Sequence, residues 1–209
     1  MTTPAAGIRV VVYDVHDRFR RGRPGLSPAW AVGARLYRGL GHVTHALPAS
    51  SLEQLFSWFA RLSPTTTIEE VQWWSHGKWG NAMIGKERLD AKALTRGSAL
   101  AGGVDALAAR LSPTSLFWLR TCESFGARRG LDFARALSTR LACRVAGHTH
   151  VIGPWQSGLH SLTPGAEPTW SAAEGLIAGT PTSPRRAAVS LPGLPNTIFC
   201  MQSTIPDGW

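Results

Sequence analysis

Two apolar runs in this chain each end on a side chain that could do chemistry. Residues 115–126 read SLFWLRTCESFG, with Cys122 just past the apolar stretch and Ser124 and Gly126 behind it. Residues 70–80 read EVQWWSHGKWG, in which Ser75, His76 and Gly77 close a second such run. Short apolar runs bounded by turn residues read as buried strands. Open parallel sheets bind ligands at the carboxyl ends of their strands. A thiol is a weak nucleophile at neutral pH until an imidazole takes its proton or stabilises the thiolate. Attack on a carbonyl then needs donors for the oxyanion. Side by side, the two tips supply that set: Cys122 as nucleophile, His76 as base, and the N–H groups of Gly77 and Cys122 for the oxyanion. Taken singly, Cys122 reads as a small core residue and His76 as a hydrogen-bonded strand end. Their pairing on consecutive strands is what favours chemistry.

The elements that must position them follow from periodicity. Residues 7–14, GIRVVVYD, read as a first buried strand. Ser27 and Pro28 read as N-cap and first-turn proline of a helix. Val32, Leu36 and Leu40 form its expected buried stripe, and Gly39 and Gly41 mark its stop. Residues 42–47 make a short second strand. Ser50 and Glu53 have capping-box spacing, and Leu52, Leu55, Phe56, Phe59 and Leu62 share one face of the next helix. The histidine strand comes third. Residues 78–90, polar and glycine-bearing, suggest a small hairpin, and residues 91–111 a helical stretch without a clear stripe. Beyond the cysteine strand, a helix over residues 130–142 turns Phe133, Ala134, Leu137 and Leu141 inward, and residues 144–152 form the next strand. This alternation predicts an α/β fold: a mainly parallel sheet with helices on both faces, a three-layer α/β/α sandwich.

Residues 154–209 hold eight of the 14 prolines and no long helical pattern. They read as a loop-rich extension packed on a core at about residues 7–153, with short strands at residues 187–190 and 197–201. The whole is expected to be a single domain.

The stretch SHGKWGNAMIGKERLDAKALT, residues 75–95, resembles the histidine segment of the caspase-like cysteine peptidases, the caspase/gingipain-type clan. That segment has an apolar strand, His-Gly, a second glycine three residues on, a hairpin glycine, and an acid before the next helix. Gly77, Gly80, Gly85 and Asp90 stand accordingly. In caspases the cysteine follows the histidine by about 50 residues; here it follows by 46. The likeness spans roughly residues 7–152, and bacterial relatives of the clan keep little beyond His-Gly and the strand-terminal cysteine. The resemblance implies a six-stranded, mostly parallel sheet. It implies a cysteine peptidase acting on peptide or protein substrates without a cofactor, through a thioester on Cys122; the lack of a signal-peptide or membrane-spanning pattern makes the cytoplasm the expected location.

Caspases carry Gln-Ala before the cysteine and Arg-Gly after it. This chain has Arg120-Thr121 and Glu123-Ser124. In the family, the side chain two before the cysteine lines the pocket for the residue preceding the cut. Arg120, on the strand face of Cys122, would there favour an acidic or polar group through paired hydrogen bonds. The alternative is a local ion pair of Arg120 with Glu123 or Asp14. Arg21 or Arg23 could reach the same edge. Glu123, Asp14, His148 and Trp155 complete the expected substrate-binding set, with Asp14 also able to orient His76. Trp79 and Trp170 are further loop residues near the cleft. Cleavage near Arg185-Arg186 is a conceivable activation step.

Composition narrows the classes. The net charge is +9, almost wholly from arginines spread along the chain. No aromatic-interleaved basic motif accompanies them, which weighs against a nucleic-acid-binding protein. Apolar runs are too short to span a bilayer, and no signal-peptide pattern is present. Three widely spaced cysteines make no disulfide framework, so a reducing compartment is expected. Cys143 and Cys200 read as core thiols. His148 and His150 with Cys143 lack the spacing of a metal motif, so no metal is expected. Two readings from other classes stand beside the peptidase: a non-catalytic binding or scaffold module on the same fold, and a basic nucleic-acid-associated protein.

Overall fold

A computed structural model describes residues 7–17, 19–20 and 23–209. Its main sheet has six strands: β1 (Ile8–Asp14), β2 (His45–Ala49), β3 (Ile68–Trp74), β4 (Leu116–Arg120), β5 (Arg144–His148) and β6 (Leu159–Leu162). They lie in the order β6-β5-β4-β3-β1-β2. Every neighbouring pair is parallel except β5 with β6. Among the described residues, four helices accompany the sheet: α1 (Ser27–Gly39), α2 (Leu52–Ala60), α3 (Ala101–Ala108) and α4 (Ala127–Leu141). The fold is therefore α/β with a mostly parallel sheet.

The central strands β1 and β4 carry apolar side chains on both faces, as buried parallel strands do, and alternate side chains enter different core clusters. Val10, Val12, Trp73, Phe117 and Leu119 pack with Phe56 and Phe59 of α2, Leu107 of α3, and Phe133 and Leu137 of α4. Val11 and Trp74 pack with Ala34 and Tyr37 of α1. Trp118 and Ala146 pack with Leu159 and Ile198. The inward faces expected for α2 and α4 are the faces that are buried.

Helix α1 departs from expectation. Val32, Leu36 and Leu40 are 63, 46 and 56% exposed, and Ala34 and Tyr37 are buried instead. The reason is close approach: a Cβ on Gly33 would come within 2.9 Å of the Trp74 ring, so the small-residue face is the one that can lie on the strand. Ser27 is the first residue of the helix rather than its cap, and the cap position, Leu26, makes no side-chain bond. At α2 the cap is Ser51, one residue beyond Ser50: its hydroxyl accepts from the Gln54 N–H at 3.0 Å, and the Gln54 Oε1 accepts from the Ser50 N–H. Only Ala101–Ala108 of residues 91–111 is helical. In place of a simple hairpin, Gly77–Lys78, Asn81–Ile84 and Glu87–Asp90 form a three-stranded antiparallel meander.

Residues 154–209 build more than loops. They supply β6, the sheet's antiparallel edge, together with the pairs Trp155–Gln156 with Ile198–Phe199 and Leu176–Gly179 with Pro184–Ala187. Arg185 and Arg186 sit in the last of these strands. Among the described residues no helix is long and apolar enough to cross a membrane.

Candidate active site

Strands β3 and β4 are neighbours, with Trp74 opposite Arg120. The chain beyond each end therefore runs on side by side, as Ser75-His76-Gly77 and Thr121-Cys122-Glu123. Gly77 allows this closeness. A Cβ there would meet the Thr121 side chain at 2.7 Å and the Cys122 carbonyl oxygen at 2.9 Å. His76 and Cys122 both line one cavity of about 340 Å³, whose walls include Trp30, Tyr37, Trp74 and Arg120.

His76 is held from the loop after β1. Its Nε2 lies 2.8 Å from Oδ2 of Asp17. That carboxylate also accepts from the Leu26 N–H at 3.0 Å, and the Asp17 carbonyl accepts from the Ser27 N–H, so it is tied to the start of α1. A carboxylate oxygen accepts, so Nε2 carries the proton and Nδ1 is the basic nitrogen. The Trp30 ring sits edge-on to the imidazole at 5.3 Å. Asp14, expected in this orienting role, is engaged elsewhere. It accepts from the backbone and ring of His16 and from the Gly85 N–H. Asp17 escaped the sequence reading because its contact with His76 crosses 59 residues. Only its position near the tip of the first strand hinted at it.

Cys122 is half-buried. Its thiol donates toward the Ile152 carbonyl at 3.8 Å and not to His76. Burial pushes the thiol pKa up, and the neighbouring Glu123 charge pushes the same way. The resting thiol is therefore protonated at neutral pH. In the meander, the Met83 N–H donates to the His76 carbonyl at 2.9 Å. Antiparallel pairs alternate between bonded and open kinds. The Gly77–Ala82 pair is thus of the open kind, and the Gly77 N–H turns away from the meander.

Arg120 is 4% exposed and pairs with neither Glu123 nor Asp14. Its donors go to neutral oxygens: Nε to Gln156 Oε1 at 3.1 Å, Nη1 to the Tyr37 hydroxyl at 2.8 Å and Gln72 Oε1 at 3.2 Å, and Nη2 to the Cys200 carbonyl at 2.6 Å. Its guanidinium lies over the rings of Trp118, Trp74 and Tyr37 at 4.6, 5.5 and 5.8 Å. It forms a fixed, cationic wall of the cavity, with few N–H groups left for a ligand.

Other expected site residues lie apart. His148 is fully buried with Nδ1 at 3.2 Å from the Ser157 carbonyl, and burial pushes its pKa down to about 3. It belongs to the core because it ends β5 paired with Leu159 of β6, with the Ser157 carbonyl against its ring. Trp155 is exposed and packs edge-on against Phe199; its strand neighbour Gln156 turns inward to Arg120, and alternation carries the Trp155 ring out. Trp170 is buried, stacked on Phe125 and His160. Trp79 lines a separate recess with Lys78 and Arg129. Glu123 borders a second cleft, which His76 also lines. Cys143 is a core thiol pushed up to about 12, whereas Cys200 lines the cavity. Arg21 and the side chain of Arg23 lie outside the described residues. Among the described residues no cluster of three or more His, Cys, Asp and Glu could hold a metal ion.

No family model matches the chain, and no curated protein matches it.

Proposed function

We propose that this chain is a caspase-like cysteine peptidase, built as a three-layer α/β/α sandwich and working in a reducing, cytoplasmic setting. One observation carries the reading: His76 and Cys122, at the tips of adjacent parallel strands, line one cavity, and His76 is anchored through Nε2 to a carboxylate. As Sγ of Cys122 attacks the substrate carbonyl, Nδ1 of His76 takes the thiol proton. The N–H groups of Gly77 and Cys122 hold the oxyanion. The imidazolium, stabilised by Asp17, returns the proton to the departing amine, which leaves an acyl thioester on Cys122. Water, deprotonated by His76, then attacks the thioester, and the acid departs as the thiol re-forms. No cofactor enters these steps.

The aromatic cavity takes the residue preceding the cut. With most of its donors committed, Arg120 offers an acidic or polar group little beyond its charge, and it opposes a cationic side chain there.

A second reading, a non-catalytic binding module, is favoured by the thiol facing Ile152 instead of His76. Catalytic hydrogen bonds often tighten only when substrate binds, so experiment separates the two. New amino termini formed in a mixed peptide library are expected from the wild type and to fall about 10³-fold or more in Cys122→Ala and in His76→Ala. Cleavage that persists in Cys122→Ala contradicts the peptidase, and absence of cleavage with retained peptide binding supports the module.

A further inference from the structure

The tip that delivers Cys122 also carries a carboxylate that the steps above leave idle. Glu123 is 8% exposed and holds a φ of +46°, a conformation disfavoured for any residue with a Cβ. The backbone is pinned there by the Glu123 N–H donating to the His150 carbonyl at 2.8 Å and by the Gly126 N–H donating to the Glu123 carbonyl at 3.0 Å. Among the described residues its carboxylate has no hydrogen bond and no ion pair. Burial pushes its pKa above the usual carboxylate range, and Lys78 opposes this only through space, its ammonium lying over the Trp79 ring at 4.9 Å. Buried carboxylates are rarely left unpaired, and backbone strain of this kind collects at functional sites.

Glu123 borders a cleft of about 870 Å³ that also touches His76 and Gly77. Three more carboxylates line it, each with work of its own. Asp14 receives His16 and Gly85, Asp17 receives His76 and Leu26, and Glu87 accepts from the Leu52 N–H at 2.6 Å. Against these four acids the wall sets two lysines, Lys78 and Lys86. A cleft with an excess of acids on a chain of net charge +9 runs against the protein's overall field.

We propose that this cleft receives a cationic side chain of the substrate, lysine or arginine, with Glu123 as its direct counter-ion. The assignment rests on the peptidase reading for the word substrate. Cys122 lines the aromatic cavity and not this cleft, so the acyl side of the substrate belongs with the cavity. His76, which protonates the departing amine, borders the cleft, so the cation belongs just after the cut. The two sides then have opposite character, Arg120 beside one and Glu123 beside the other, and that difference fixes the direction in which a peptide lies. An arginine in the cleft can pair with the carboxylate through two parallel N–H bonds.

The test compares new amino termini from a peptide library cut by the full-length wild type, Glu123→Gln and Glu123→Lys. Wild type should favour Arg and Lys over Glu at the first two positions after the cut by about tenfold or more, the scale of one charge-assisted bond. Glu123→Gln should lose that preference, and Glu123→Lys should turn it toward acids. Cleavage with no basic preference, or a preference that survives both substitutions, overturns the inference and leaves the peptidase standing. If nothing is cleaved, the same variants in Cys122→Ala are titrated with matched fluorescent arginine and glutamate peptides. Arginine-selective binding lost with Glu123 supports the cation site while the peptidase reading falls, and binding indifferent to Glu123 overturns the site as well.

Discussion

At the scale of single residues, the site turns on a contact between Asp17 and His76 at 2.8 Å. In the proposed mechanism Asp17 acts through His76: it holds the proton on Nε2, leaves Nδ1 free, and would stabilise the imidazolium. Asp17→Asn keeps the shape but can present an N–H to the ring and favour the wrong tautomer. Turnover is expected to fall about 10²-fold, the lower range for proton-transfer catalysis, with KM little changed and partial recovery in Asp17→Glu. Steady-state kinetics on any cleaved peptide checks this, and equal loss in kcat and rise in KM would make Asp17 structural only. The same scale shows what one chain of letters can reveal. That Cys122, His76 and Gly77 come together was legible because each closes an apolar run, a local pattern. Asp17 was not, because its partner lies 59 residues away. Nor were the neutral partners of Arg120, since Tyr37, Gln156 and Cys200 converge on it from three separate parts of the chain.

At the scale of elements, strands were easier to read than helix faces. A short, wholly apolar run such as LFWL has one good fate, burial between neighbours. Helix α1 offers two stripes, and the larger hydrophobes lost. Val32, Leu36 and Leu40 face outward because Gly33 and Ala34 let the helix settle on Trp74. Two substitutions measure that choice. Val32→Lys or Leu36→Lys should change unfolding free energy by less than about 0.5 kcal/mol, as exposed positions do. Tyr37→Ala should cost roughly 3 kcal/mol or more, through lost packing and through stranding the Arg120 guanidinium. Urea unfolding decides, and a large loss from Val32→Lys would mean that the sequence-predicted face is the buried one after all. The cap of α2 slipped by one residue for a similar local reason: Ser50 and Ser51 are both good caps, and spacing alone does not choose between them.

At the scale of the whole molecule, residues beyond 154 complete what the earlier strands begin. They supply β6 and the carbonyls of Cys200 and Gln202 that accept from Tyr37 and Arg120. Composition marked this part as loop-rich but carried no sign that it closes the sheet's edge, because β6 is only four residues long. Global stability should report a buried imidazole near that edge. His148 holds a pKa pushed down from 6.5 to about 3, so the unfolded chain binds a proton that the folded one refuses between those values. Stability should therefore fall as pH drops from about 6.5 toward 3, by up to a few kcal/mol, and His148→Gln should flatten that part of the curve. Urea midpoints across this range test it, and equal slopes in both proteins would contradict a neutral buried His148.

The measurement closest to the central claim is site-resolved alkylation by iodoacetamide at pH 7, in wild type and His76→Ala. Burial by itself pushes the thiols of both Cys122 and Cys143 up, so labelling of Cys122 at this pH has to come through proton transfer to His76. The expected result is modification of Cys122 in the wild type, at least about tenfold slower in His76→Ala, with Cys143 untouched in both. A Cys122 that resists labelling, or that reacts at the same rate without His76, would contradict the pair as a catalytic unit.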